Sequence, residues 1–195
     1  MRKVTMGTQI LFYPLPAVLI GTVVEGLPDF MVAAWSGVAA NDPPAVTVGI
    51  RPSRHTHKGI LQNMAFSVNI ASVDMVAELD YCGITSGSKV NKVDICKFKL
   101  FYGKLANAPL IEDCPVNLEC RVAHMLDLGS HSLVVGKIEE THITEDCLTE
   151  GKPDVDKIRP FIYVTNPARQ YRAFGPVIAK AHSIGEKLKG KANIP

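Results

Sequence analysis

The chain has 195 residues, 47% of them hydrophobic, which suffices for one well-buried core and is short for two independent domains. Twenty-one basic against 19 acidic residues leave a net charge of +2, so there is no broad field to draw in nucleic acid or an anionic membrane. Five widely spaced cysteines (Cys82, Cys96, Cys114, Cys120, Cys147) are odd in number and match neither a disulfide scaffold nor a zinc knuckle. They read as buried thiols in a reducing compartment.

Arg2 and Lys3 precede an apolar run from Ile10 to Val24. Pro14 and Pro16 break that run and no small-residue cleavage site follows before Glu25, so it is expected to be neither an export signal nor a membrane span. A cytoplasmic protein is expected.

Strand signals dominate the first three quarters. Ala17 to Glu25 is rich in valine, Gly26-Leu27-Pro28-Asp29 offers turn chemistry, and Phe30 to Trp35 resumes an extended run, which predicts a hairpin. Val46, Val48 and Ile50 alternate with smaller or polar residues, as do Phe66, Val68 and Ile70, the signature of strands with one buried face. Alternation recurs over Lys97 to Tyr102 and Val116 to Val122, and Ser132 to Thr141 follows a turn at Gly129-Ser130. Helices are expected at Thr56 to Met64, Val73 to Tyr81 and from about Pro176 to Lys189, the lysine-rich stretch Lys180 to Lys191 reading as a solvated end. Many short strands with turns between them predict a mainly β barrel with a few helices.

The stretch Gly49 to Lys58 joins a strand to a helix and gathers Arg51, Ser53, Arg54, His55, Thr56, His57 and Lys58. A helix start presents unpaired N–H groups and the positive end of the dipole, and arginine grips phosphate through paired hydrogen bonds. Ser53 or Thr56 is expected to cap the helix or to bond an anion. Neither a dinucleotide fingerprint nor a P-loop occurs, so a monophosphate suits the loop better than a triphosphate. A second, turn-rich loop runs from Asp80 to Lys92, and its Gly83 and Gly87 allow close backbone approach to a ligand.

Several stretches resemble the flavin reductase-like, FMN-binding split-barrel family, and within it the flavoredoxin branch. They are Phe12-Tyr13-Pro14-Leu15-Pro16, Phe30 to Ser36, Asp42-Pro43-Pro44, Ile50 to Thr56, Asp80 to Gly87, Cys114 to Cys120 and Leu128-Gly129-Ser130-His131, in family order over about residues 12 to 140. The family often carries tyrosine where this chain has His55, and Pro167 to Val177 looks atypical.

The resemblance implies a six-stranded antiparallel Greek-key barrel, a single domain over residues 1–195 with residues 165–195 as an extension or helix, and a homodimer with FMN near its interface. It implies that Arg51, Ser53, Arg54 and Thr56 hold the FMN phosphate with Ser86, Gly87 and Lys92. Ala33, Ala34, Trp35 and Ser36 would line the isoalloxazine edge, and Asn69 would contribute from its strand. His131 is a candidate for a proton or substrate role, or a structural histidine beside a turn. The implied activity is an oxidoreductase that takes hydride from NADH or NADPH through flavin N5 to a flavin or small acceptor. The alternative is a flavoredoxin-type electron carrier served by a redox partner protein. A nucleic-acid-binding barrel would need aromatic and basic residues interleaved on a strand face, which only Lys97 to Tyr102 approaches.

Overall fold

A computed structural model describes residues 1–191; residues 192–195 of the expected C-terminal extension lie outside the described residues. The main sheet runs β1 (Val18–Val24), β2 (Leu27–Ala33), β3 (Ser36–Asn41), β4 (Pro44–Ile50), β5 (Ala65–Ile70), β6 (Val116–Asp127) and β7 (Ser132–Ile143). Its spatial order is β2-β1-β5-β6-β7-β4-β3, with every neighbouring pair antiparallel.

The expected hairpin forms, with a tighter turn than the residues suggest. Glu25 and Gly26 both take positive φ, 52° and 84°, and Val24 pairs directly with Leu27. Two such residues match the twist of the strands they join. Leu27, Pro28 and Asp29 therefore belong to β2 and not to the turn. Pro28 is tolerated because β2 lies at the edge of the sheet, where its missing N–H is not needed.

β2 and β3 are opposite edges of one sheet, yet only Ala34 and Trp35 separate them in the chain. The sheet must curl until its edges meet, which makes a barrel with a seam that no ladder closes. Beside the seam the Gly49 N–H donates to the Trp35 carbonyl at 2.7 Å, which carries the β3–β4 pairing one residue past Ser36 and Val48. Six strands were expected and the main sheet has seven. The addition is β3, an exposed ribbon from Gly37 onward with no apolar alternation to announce it.

Ile20, Met31, Val48, Ile50, Phe66 and Val134 fill the barrel interior, and helix α1 (His55–Asn63) buries Ile60 among them. A second core containing Leu19, Phe30, Leu79, Cys82 and Phe161 lies on the other face of β1 and β2, under helix α2 (Val76–Ile84). Each fully buried large apolar side chain is worth roughly 1.5–3 kcal/mol. β1 and β2 are thus covered on both faces, which is why β1 reads as a continuous apolar run.

Other expectations shift. Of Lys97 to Tyr102 only Leu100–Phe101 is in a strand, paired with Leu110–Ile111. Val73 to Tyr81 divides into a single 3₁₀ turn at Val73–Met75 and α2, and residues 92–96 add α3 (Lys92–Cys96). In the tail, Ile184–Lys191 is 3₁₀ rather than the helix expected from Pro176. Phe161–Val164 pairs with Leu15–Pro16 on one side and Gln170–Ala173 on the other, tying the two ends of the fold together. All five cysteines are unpaired, and burial pushes the Cys120 thiol up to about 12. No helix among the described residues is long and apolar enough to cross a membrane.

Candidate functional site

The loop after β4 and the loop after α2 close on one cavity of about 180 Å³. Arg51, Ser53, Arg54 and Thr56 line it from the first loop, and Ser86, Gly87 and Lys92 from the second side. The Arg54 guanidinium donates to the Gly83 carbonyl at 3.1 Å and so fixes the first loop against the last turn of α2, from which the second loop leaves. Neither Ser53 nor Thr56 caps α1: Arg54 is the N-cap residue, extended at φ −73° and ψ 137°, with no side-chain bond to the helix start. The first turn also carries no acidic residue, and although the Arg54 and His57 amides are bonded within the loop, the dipole and the His55 and Thr56 amides remain available to an anion.

Behind Thr56, Gly87 and Lys92 lies a buried polar knot that the sequence did not announce. Asp29, on β2, accepts from the Thr56 hydroxyl at 2.6 Å and faces the Lys92 ammonium at 3.4 Å. Lys92 also donates to the Phe30 carbonyl at 2.5 Å and the Cys82 carbonyl at 3.4 Å. Asn91 accepts from the amides of Val93 and Asp94, which caps α3 and turns Lys92 inward. Lys92 therefore acts by neutralising Asp29, and its expected direct grip on a phosphate is replaced by these three bonds. A carboxylate left bare at this spot would repel an anion. Gly87 presses so closely on Asp29 that a Cβ there would fall on its carboxylate.

Of the residues expected at the ring edge, three separate. Ala34 lines a cavity of about 320 Å³ together with Arg54, Gly83, Ile84, Tyr163 and Tyr171. Trp35 and Ser36 face an open groove beside Ile10 and Phe12. Ala33, by contrast, is buried within the barrel core and laddered to Val18, so its side chain offers nothing to a cofactor. Asn69 is also corrected. It is fully buried, donates to the Leu19 carbonyl and Ser67 hydroxyl, and accepts from the Ile111 amide and Asn117 side chain. Its strand has a polar face, but the segment ending at Leu110–Ile111 covers that face.

His131 stacks on Trp35, ring centroids 4.3 Å apart, and its Nδ1 meets the Ser130 hydroxyl at 2.9 Å. Burial, and then the Arg51 charge, hold its pKa below the usual histidine value. A neutral imidazole beside the seam is the result. Sequence reading missed Asp29, Thr85 and the Tyr171–Asp80 hydrogen bond of 2.9 Å that walls the neighbouring cavity.

Residues 10–172 match the family described as flavin reductase like domain. The chain belongs to that family. Within it, the chain falls in the flavoredoxin branch. It is 36% identical to the flavoredoxin from Methanosarcina acetivorans, with 96% of this chain and all of that one covered and a TM-score of 0.91. Flavoredoxin of Desulfovibrio vulgaris (Miyazaki F) gives 32% identity, 94% and 100% coverage and a TM-score of 0.88. An uncharacterized protein of Archaeoglobus fulgidus is 34% identical over 157 residues, 80% of this chain and 87% of that protein. This flavin reductase-like chain is a flavin-binding redox protein on a split-barrel fold.

Proposed function

We propose that the chain is a single-domain FMN oxidoreductase that uses NADH or NADPH to reduce a flavin or small acceptor. The observation that carries the FMN reading is the cavity between the two loops. It offers two arginines, the hydroxyls of Ser53 and Ser86, and a helix start with no side-chain cap, while Lys92 pairs with the Asp29 carboxylate behind it. That donor set fits a phosphate monoester of charge near −2. FMN would then be held non-covalently, phosphate at Arg51, Ser53, Arg54, Thr56, Ser86 and Gly87, with the ring directed toward Ala34, Trp35 and Ser36.

Bound FMN supplies a ring that accepts hydride at N5 and hands electrons on. The chain's own part is to hold the phosphate, shield one side of the ring and leave the other open to a donor within about 3–3.5 Å. His131, neutral and stacked on Trp35, is placed to accept a proton or contact a substrate at the ring edge. The exposed Ile10, Phe12, Trp35 and Val38 support a homodimer that covers this side of the cleft.

An electron carrier is the second reading, favoured by the two flavoredoxin relatives. It differs in having a protein partner as donor. The visible spectrum decides between them: under anaerobic conditions NADH or NADPH bleaches the flavin bands of a reductase. A carrier bleaches with dithionite and keeps its bands with both nicotinamides. Purified protein that retains no FMN after soaking and desalting would refute both.

A further inference from the structure

We infer that Cys82 and Cys96 are a modification site, at which a peroxide joins the two thiols in a disulfide that ties down the second wall of the phosphate cavity. The pairing stands on the two helices that carry the thiols, and its effect on flavin rests on the phosphate placement above.

Both ends of α3 lean on Cys82. At the first residue of that helix the Lys92 ammonium donates to the Cys82 carbonyl at 3.4 Å. At the last residue the Cys96 thiol is in hydrogen-bonding contact with the Cys82 thiol. The Cys96 Sγ also stands 4.0 Å from the Glu78 carbonyl, one turn before Cys82 along α2. Both sulfurs belong to the core under α2, Cys82 buried within it and Cys96 packed against it. The other three cysteines have other neighbours. Cys114 meets the Met75 sulfur at 3.8 Å, Cys120 lies in the barrel core, and Cys147 faces the Lys157 carbonyl at 3.7 Å. Cys96 alone of the five is not buried, so a small uncharged oxidant from solvent meets it first.

The chemistry balances with peroxide as the oxidant. The Cys96 thiolate attacks one peroxide oxygen, the O–O bond breaks, and hydroxide leaves and takes up a proton to become water. The Cys82 sulfur then attacks the sulfenic acid so formed; the S–O bond breaks, an S–S bond forms and a second water departs. Two thiols and one hydrogen peroxide give one disulfide and two waters, with two electrons passing from sulfur to oxygen. Burial, first of all, raises both thiols above the ordinary cysteine value, joined by the Cys96 sulfur and Asp29 at Cys82 and by Glu78 at Cys96. The bond from Cys82 offsets this at Cys96, and the Lys92 ammonium offsets it at both. The thiolate is therefore scarce at neutral pH and the step is slow there.

What closes is a ring of residues 82–96. It encloses Thr85, Ser86, Gly87 and Lys92, all the residues that this side gives to the phosphate cavity. A cross-link removes chain freedom that the wall otherwise loses when it orders around a ligand. The oxidised protein accordingly releases FMN more slowly than the reduced one.

The test treats purified, FMN-loaded protein with hydrogen peroxide at neutral pH and one unit above it, alkylates the remaining thiols and maps the peptides without reduction. One linkage is expected, Cys82 to Cys96, formed about tenfold faster at the higher pH and reversed by dithiothreitol. FMN release, followed by fluorescence after dilution, should slow about three- to tenfold on oxidation and recover on reduction. Cys96→Ser should give neither the linkage nor the slowing, and Cys82→Ala should leave Cys96 as its sulfenic or sulfinic acid. Wild-type protein with Cys96 carried to the sulfinic acid and Cys82 still free, or with Cys82 linked to Cys114, would overturn the pairing. A Cys82–Cys96 linkage with FMN release unchanged would overturn the tie to the cavity. Protein that retains no FMN would refute the phosphate placement, and the peptide map would still decide the pairing.

Discussion

The Lys92 ammonium and the Asp29 carboxylate stand 3.4 Å apart, at 3% and 7% side-chain exposure, beneath the cavity that two loops build around them. A buried pair of this kind stabilises little relative to apolar residues, but either half alone is costly. Lys92→Met should therefore lower unfolding free energy by about 3–5 kcal/mol, the range for an uncompensated buried charge. Adding Asp29→Leu should recover most of that loss. Denaturant titrations of the two variants check the pair; a double variant no more stable than Lys92→Met would contradict it.

Gly87 meets Asp29 where a side chain has no room. Gly87→Ala should push the 85–91 loop off the cavity floor, weakening FMN retention at least tenfold while the far-UV circular dichroism stays that of the wild type. Unchanged flavin affinity would mean the loop shifts without consequence for the cavity.

Arg54 ties the loops through the Gly83 carbonyl and lines the cavity. Losing a charge-assisted contact costs about 1.5–3 kcal/mol. Arg54→Ala should accordingly weaken FMN binding by roughly ten- to over a hundredfold, read by fluorescence titration, with a smaller effect on melting temperature. Wild-type affinity in this variant would move the phosphate elsewhere.

Trp35 is the sole tryptophan, and His131 stacks on it. Imidazolium quenches indole emission more than neutral imidazole does. Because burial and the Arg51 charge both disfavour the cation, protonation is delayed to lower pH than the ordinary 6.5. Tryptophan emission should fall as pH drops, with a midpoint below 6.5, and the transition should vanish in His131→Gln. A midpoint above 6.5 would mean that the Trp35 face and the Ser130 hydroxyl favour the cation more than burial and Arg51 disfavour it.

The strands that alternate, β4 and β5, were legible because period two is a direct image of one buried face. The Arg51–Thr56 loop was legible because its chemistry is concentrated in six residues. Asp29 was not, since Gly26 to Asp29 has the composition of a turn; only the ladder from Val24 to Leu27 shows that two residues suffice to reverse the chain. Asn69 misled for a related reason: alternation tells which residues share a face but not whether that face meets water or another segment. β3 had no pattern to read, being held at the edge by β4 and by the two-residue link that brings the chain across the seam.

A strand covered on both faces has no side on which substitutions are harmless. β1 lies between the barrel interior and the layer under α2, with Ile20 facing one and Leu19 the other. A saturation scan would then show β1 as an unbroken block of intolerance. Along β7, where buried and partly exposed positions take turns from Ser132 to Gly136, tolerance should rise and fall with every second residue.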